Sequence, residues 1–134
     1  HQIIKQMVHL GKDVSKSTIV MLGITFKENV SDVRNSKVAA LYKELKDFGL
    51  NVAVHDPYAD PKDVLHEYGI QLVSKDQLPK ADTLIVAVAH QEFRAITPTE
   101  LRTYMNSGEL LLADIKHMYN RSQIEAEGIH YWSL

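Results

Sequence analysis

Residues 19–37 read IVMLGITFKENVSDVRNSK, and the fold turns on how they are parsed. Ile19, Val20, Met21 and Leu22 form an unbroken apolar run. A sheet with one wet face would alternate, so the run predicts a buried parallel strand from Thr18 to Leu22. Gly23 leads into a loop that carries Lys27, Asp32 and Arg34, and an amphipathic helix begins near Ser36. A buried strand feeding a cationic loop and then a helix N-terminus is a phosphate-binding arrangement. The loop and the first helical turn offer N–H groups, and the helix dipole favours an anion there. Lys27 and Arg34 add full positive charge.

Downstream, the pattern repeats as strand and helix. A helix over 36–48 has Val38, Leu41, Tyr42, Leu45 and Phe48 on its inner stripe and stops at Gly49. Asn51–His55 reads as the second strand, ended by Asp56-Pro57. Asp60 as N-cap and Pro61 at the first helical position start a short helix that ends at Gly69, with Val64 and Leu65 facing inward. Residues 70–73 read as a short third strand, 76–78 as at most one helical turn, 82–88 as a fourth strand and 90–93 as a turn or short helix. Thr97-Pro98-Thr99-Glu100 is a capping box, and its helix carries Leu101, Tyr104 and Met105. A fifth strand at 110–113, a short helix at 122–126 and a last strand at 129–132 complete the chain.

Strands alternating with helices predict an α/β, three-layer, Rossmann-like fold with a mostly parallel sheet. Right-handed crossovers give the strand order 3-2-1-4-5. That order reverses between strands one and four, and such sheets bind ligands at the carboxyl ends of the strands beside the reversal. The loops at 25–34, 89–93 and 114–121 meet there.

Ahead of the sheet, Ile3, Ile4, Met7 and Val8 share one helical face with no N-cap before them, and Gly11 is the stop. Residues 1–16 are expected to be the tail of an interdomain linker helix, with 17–134 as the domain proper. The alternative is a short helix packed on this domain. A chain that opens at His1, already inside a helical pattern, is expected to be the C-terminal part of a longer protein.

Composition narrows the function. The 134 residues suit one domain, and 45% hydrophobic content suffices for a core. A net charge of −2 gives no basic footprint for nucleic acid. No apolar run approaches a membrane span and no leader is evident, so the expectation is a cytoplasmic protein. There is no cysteine, which excludes disulfides, thiolate metal sites and cysteine nucleophiles within these residues. The seven histidines show no His-x-x-x-His spacing, so no metal is expected.

Lys27 follows the first strand closely and belongs at the mouth of the switch-point cleft, as a point-charge contact to phosphate or as a solvated loop lysine. Arg34 can fork onto a phosphate or carboxylate, or pair with Asp32 or Glu28. Lys116 leaves the fifth strand as a nucleotide contact or an exposed loop lysine, and Arg121 is a weaker candidate. His90 reads as a capping or hydrogen-bonded residue rather than a catalyst. Asp56 sits where an acid often holds a ribose. The chain has Gly-Ile-Thr-Phe-Lys after its first strand instead of Gly-x-Gly-x-x-Gly, so a turn-forming role for Asp56-Pro57 is preferred and no NAD cradle is expected here.

The residues 23–36, GITFKENVSDVRNS, closely resemble the start of the C-terminal domain of the UDP-glucose/GDP-mannose dehydrogenase family. The likeness continues through His55-Asp56-Pro57-Tyr58-Ala59-Asp60, Ala89-His90-Gln91-Glu92-Phe93, Asp114-Ile115-Lys116 and Tyr131-Trp132-Ser133-Leu134. The resemblance implies an enzyme that oxidises the 6-hydroxyl of a nucleotide sugar to a carboxylate with NAD, in two steps through a thiohemiacetal. It implies that the catalytic cysteine and most of the NAD site lie upstream, so that no catalytic residue falls in this chain. It assigns Lys27 and Phe26 to the UDP part of the substrate, Lys116 to the nucleotide, and Arg34 to NAD held by the upstream domain. It implies a UDP-sugar as partner, a homodimer formed through the linker helix, and a place in capsule or envelope polysaccharide synthesis. The rival is a non-enzymatic nucleotide-binding or receiver-like module. A receiver needs an acidic pair after strand one and an aspartate after strand three, where this chain has Thr25-Phe26-Lys27 and Val73-Ser74-Lys75.

Overall fold

The three inner strands of the central sheet alternate between two cores, which is why they read as apolar runs. In the computed structural model, which describes residues 2–134, β1 (Thr18–Leu22), β2 (Asn51–His55), β3 (Thr83–Val86), β4 (Leu110–Asp114) and β5 (Ile129–Ser133) form one parallel sheet in the order β2-β1-β3-β4-β5. One face carries Ile19, Met21, Val54, Ile85, Leu111 and Ala113 against α1 (Gln2–His9), α2 (Lys37–Asp47) and α3 (Pro61–Tyr68). The other carries Val20, Leu22, Leu84, Val86, Leu110, Leu112 and Tyr131 against α4 (Gln91–Arg94), α5 (Pro98–Thr103) and α6 (Arg121–Ala126). The α/β, Rossmann-like expectation holds.

The helix ends follow local chemistry. Asp60 accepts the Lys62 N–H and Thr97 accepts the Glu100 N–H, each with proline at the helix start. Gly49 and Gly69 close α2 and α3 with positive φ, at 80° and 67°.

Three expectations are corrected: the strand at 70–73 and the inward-facing places of Leu65 and of Phe48, the latter also 54% exposed. Residues 70–73 are not a strand. Only the Val73 N–H bonds to Val54 O (2.8 Å), while Val73 O meets His55 Nδ1 (3.0 Å), so the segment brushes the outer edge of β2 without a ladder. It runs between the left-handed Gly69 and a 3₁₀ turn at Lys75–Gln77. The predicted order 3-2-1-4-5 therefore loses its outermost member. The predicted second, first, fourth and fifth strands remain neighbours in that order, and the last predicted strand extends the far edge as β5. The reversal beside β1 stays where it was expected. Leu65, expected to face inward, is 54% exposed, and Val64 alone fills the core from that turn of α3.

The apolar stripe of α1 is split. Ile3 and Met7 are buried in this domain's own core, Ile4 is half-buried, and Val8 is 61% exposed beside Phe48. Residue 1 lies outside the described residues.

Candidate functional site

β1 leaves the sheet through a turn that only glycine fits. Gly23 has φ of 103°, and a Cβ there would stand 2.7 Å from the Val88 Cβ. The close approach brings the loop after β1 against the end of β3, at the point where the strand order reverses.

Asp56, at the end of β2, anchors that loop. Its carboxylate is buried and accepts N–H bonds from Ile24 (2.8 Å), Thr25 (3.2 Å) and Tyr58 (2.8 Å), and His90 Nε2 lies 2.9 Å away. Burial alone would raise its pKa. The bonds from His90 and from the backbone N–H groups of Ile24 and Tyr58 outweigh that and hold it below the usual aspartate value. His90 is equally buried, and its Nδ1 accepts the Asn29 N–H at 2.9 Å. The turn role foreseen for Asp56 and the hydrogen-bonded role foreseen for His90 thus meet in a single cluster.

This anchoring corrects the expectation of free loop amides. The N–H groups of Ile24 and Thr25 go to Asp56, that of Phe26 to Asp32 O (2.7 Å), and that of Asn29 to His90. Anion binding at this loop falls to side chains and to the first turn of α2. That turn has no side-chain cap, because the Ser36 hydroxyl makes no capping bond. The chain between loop and helix is fixed instead by Tyr68, whose hydroxyl takes the Ser36 N–H (3.0 Å) and donates to Val33 O.

A cavity of about 200 Å³ opens beyond the ends of β1, β3 and β4, lined by Thr25, Phe26, Lys27, Asn35, Lys37, Val38, Ala87, Val88 and Lys116. The loop at 89–93, expected to meet the other two there, does not line it. Phe26, Lys27 and Lys116 are brought together as the sequence foresaw. Lys37 is an addition, and it was legible only as a charged residue at a helix start. The lining holds three ammonium groups and no carboxylate, so it suits an anion with more than one charge. Ala87, Val88 and Val38 form an apolar floor, and Phe26 presents a ring that is 55% exposed, a platform for a planar group. Lys116 is delivered by the turn after β4. There Asp114, fully buried, accepts the Tyr119 N–H (2.9 Å) and the Tyr131 O–H (2.6 Å). Burial, and then the bond to Asp114, push the Tyr131 hydroxyl up to about 12.

Arg34 does not line this cavity. It lies in a separate groove of about 420 Å³ with Asp32, Asp63, His66 and Glu67, and its Nε and Nη2 reach the two Asp32 oxygens at 3.2 and 3.4 Å. Three carboxylates to one guanidinium make this larger groove a poor phosphate site, and the smaller cationic cavity is the better one. Arg121 also stands apart, bonded to Tyr131 O (3.1 Å) and stacked 4.9 Å over the Tyr131 ring. Among the described residues no cluster of three His, Asp or Glu side chains is arranged to hold a metal, and no helix is long and apolar enough to cross a membrane. Four amides of the loop after β1, those of Ile24, Thr25, Phe26 and Asn29, are bonded within the protein, and Arg34 is engaged by Asp32.

A doubly wound parallel sheet with a cationic, aromatic-rimmed cavity at its switch point is a nucleotide-binding α/β domain. Residues 20–121 match the model of the UDP-glucose/GDP-mannose dehydrogenase family, UDP binding domain, and the chain belongs to that family. It is 36% identical over 122 residues to the UDP-N-acetyl-D-glucosamine 6-dehydrogenase of Salmonella typhi, covering 91% of this chain and 28% of that protein. It is 33% identical over 122 residues to Protein CapL of Staphylococcus aureus, again over 91% of this chain and 28% of that protein. The fold matches the crystal structure of an NDP-N-acetyl-D-galactosaminuronic acid dehydrogenase from Methanosarcina mazei Go1, with a TM-score of 0.86, 20% identity, and coverage of 98% of this chain and 27% of that one. The chain therefore spans little more than a quarter of the length of these relatives.

Proposed function

We propose that this chain grips the substrate for an NAD-dependent dehydrogenase that oxidises the 6-hydroxyl of a UDP-hexose or UDP-N-acetylhexosamine to a carboxylate. The observation that carries the reading is the convergence of Phe26, Lys27 and Lys116 on one carboxylate-free cavity. In this reading Lys27 and Lys116, with Lys37, neutralise the diphosphate, and Phe26 packs against the uracil. Residues 1–16 are the end of a linker to an upstream domain that supplies the cysteine nucleophile and the NAD site. NAD supplies the hydride acceptor. Arg34 swings from Asp32 to meet it across an interdomain cleft, and the exposed flank of α1 at Val8 contributes to a homodimer. Binding energy gathered at the UDP end orients the reacting carbon some distance away, so these residues act on turnover as well as affinity. The setting is cytoplasmic synthesis of capsule or envelope polysaccharide, as the kinship to CapL and to N-acetylhexosamine dehydrogenases suggests.

Calorimetric titration with UDP tests the reading. Replacing Lys27 with Ala is expected to weaken binding by about 1.5–3 kcal/mol, the weight of one charge-assisted hydrogen bond. An unchanged dissociation constant returns Lys27 to the role of a solvated loop residue.

A further inference from the structure

His90 is 0% exposed, yet it touches the loop that carries Lys27 from two sides. Its Nδ1 accepts the Asn29 N–H at 2.9 Å, so that nitrogen bears no proton. The ring proton therefore sits on Nε2, which donates to Asp56 Oδ2 at 2.9 Å. Thr25 Oγ1 lies 3.1 Å from the same nitrogen and gives its own proton to Lys27 O at 2.9 Å, so it shares the single Nε2 proton with Asp56 as the second acceptor of a bifurcated bond. The contact with Asn29 is reciprocal, because Asn29 Oδ1 accepts the Gln91 N–H at 2.8 Å, directly after His90. Asn29 holds a left-handed conformation, φ 59°, that asparagine tolerates and that its two bonds to this corner secure. The ring is packed against Tyr58 (4.5 Å between centroids) and Phe93 (5.3 Å), which leaves it little room to turn.

We infer that His90 is the positioning residue for Lys27. One imidazole, in one tautomer, fixes the backbone two residues before Lys27 through Thr25 and two residues after it through Asn29. The Lys27 side chain, exposed at the cavity, then projects from a backbone that is already ordered before ligand arrives. The entropy of ordering the loop is removed from the binding step, which raises affinity without His90 touching the ligand. The inference rests on the reading of the cavity as the UDP site.

The two ring nitrogens have separable tasks, and two substitutions separate them. His90→Gln keeps a donor near Nε2 for Asp56 and loses the acceptor for Asn29. His90→Asn keeps an acceptor near Nδ1 and loses the donor to the buried carboxylate. The measurements are UDP affinity by calorimetry and thermal melting of the full-length protein, for both variants, with and without Lys27→Ala. The expected order is crossed. His90→Gln melts near the unsubstituted protein but loses UDP affinity by about fivefold, the weight of one neutral hydrogen bond. His90→Asn melts lower but binds UDP almost normally well below its melting temperature. In the Lys27→Ala background the affinity loss from His90→Gln disappears, because its effect runs through Lys27. Affinity that simply follows melting temperature overturns the inference, as does a His90→Gln loss that persists undiminished beside Lys27→Ala. A His90→Gln protein that melts far below the parent also overturns it, since the Asn29 bond is then structural. If the unsubstituted protein fails to bind UDP, or Lys27→Ala binds it normally, the reading of the cavity falls first and the inference falls with it.

Discussion

Gly23 shows how closely the switch point is built. With φ at 103° and Val88 Cβ 2.7 Å from where a side chain would begin, any Cβ meets both backbone strain and a clash. Gly23→Ala is expected to cost at least about 1–3 kcal/mol, the range for a non-glycine residue held in a sparsely populated conformation. Denaturant unfolding checks this, and stability equal to the parent would mean that the turn relaxes. Asp56 gives a pH-dependent counterpart. Its folded pKa lies below the ordinary 3.8, so the ionised carboxylate favours the folded state. That contribution is fully present above the unfolded value and fades as pH falls through the lower folded value. The stability gap between the parent and Asp56→Asn should therefore be constant near neutrality and narrow below about pH 4. A gap that does not change down to acid-induced unfolding would show that the charge of Asp56 is irrelevant. The sequence exposed Phe26, Lys27 and Lys116 because each follows a strand end in a recognisable stretch. It hid the pairing of Asp56 with His90, because a bond across 34 residues depends on which strands lie side by side.

At the scale of elements, strong local signals read true. The N-caps at Asp60 and Thr97, each followed by proline, and the left-handed glycines bounded helices α3, α5 and α2 close to where they lie. Residues 70–73 misled because a short β-branched and apolar run fits a strand or a covered edge segment equally well, and only pairing partners distinguish them. α1 was legible only in part. Its apolar stripe was plain in the sequence, but not its division, in which Ile3 and Met7 complete the core on the α2 side of the sheet while Val8 stays exposed. Each buried side chain of that size is worth about 1.5–3 kcal/mol as an upper bound. A chain beginning at Ser15 should therefore unfold at lower denaturant concentration, by a few kcal/mol in stability. Equal midpoints for the two chains would show that α1 adds nothing to this domain.

For the whole molecule, the alternation of buried strands and helices was sufficient to call a parallel α/β sheet and to place its reversal beside β1. The topology then did what single residues cannot, carrying the ends of β1, β3 and β4 and the start of α2 to one cavity. Lys37 was missed for the same reason, since its value lies in the two lysines that the fold sets around it. This cavity, rather than the larger acidic groove at Arg34, is expected to receive the nucleotide. Amide chemical-shift mapping of the isotope-labelled chain during titration with UDP tests it most directly. Saturable shifts are expected at Thr25, Phe26, Lys27, Lys37, Val38, Val88 and Lys116. Shifts confined to 31–34 and 63–67, or none at saturating UDP, would contradict it.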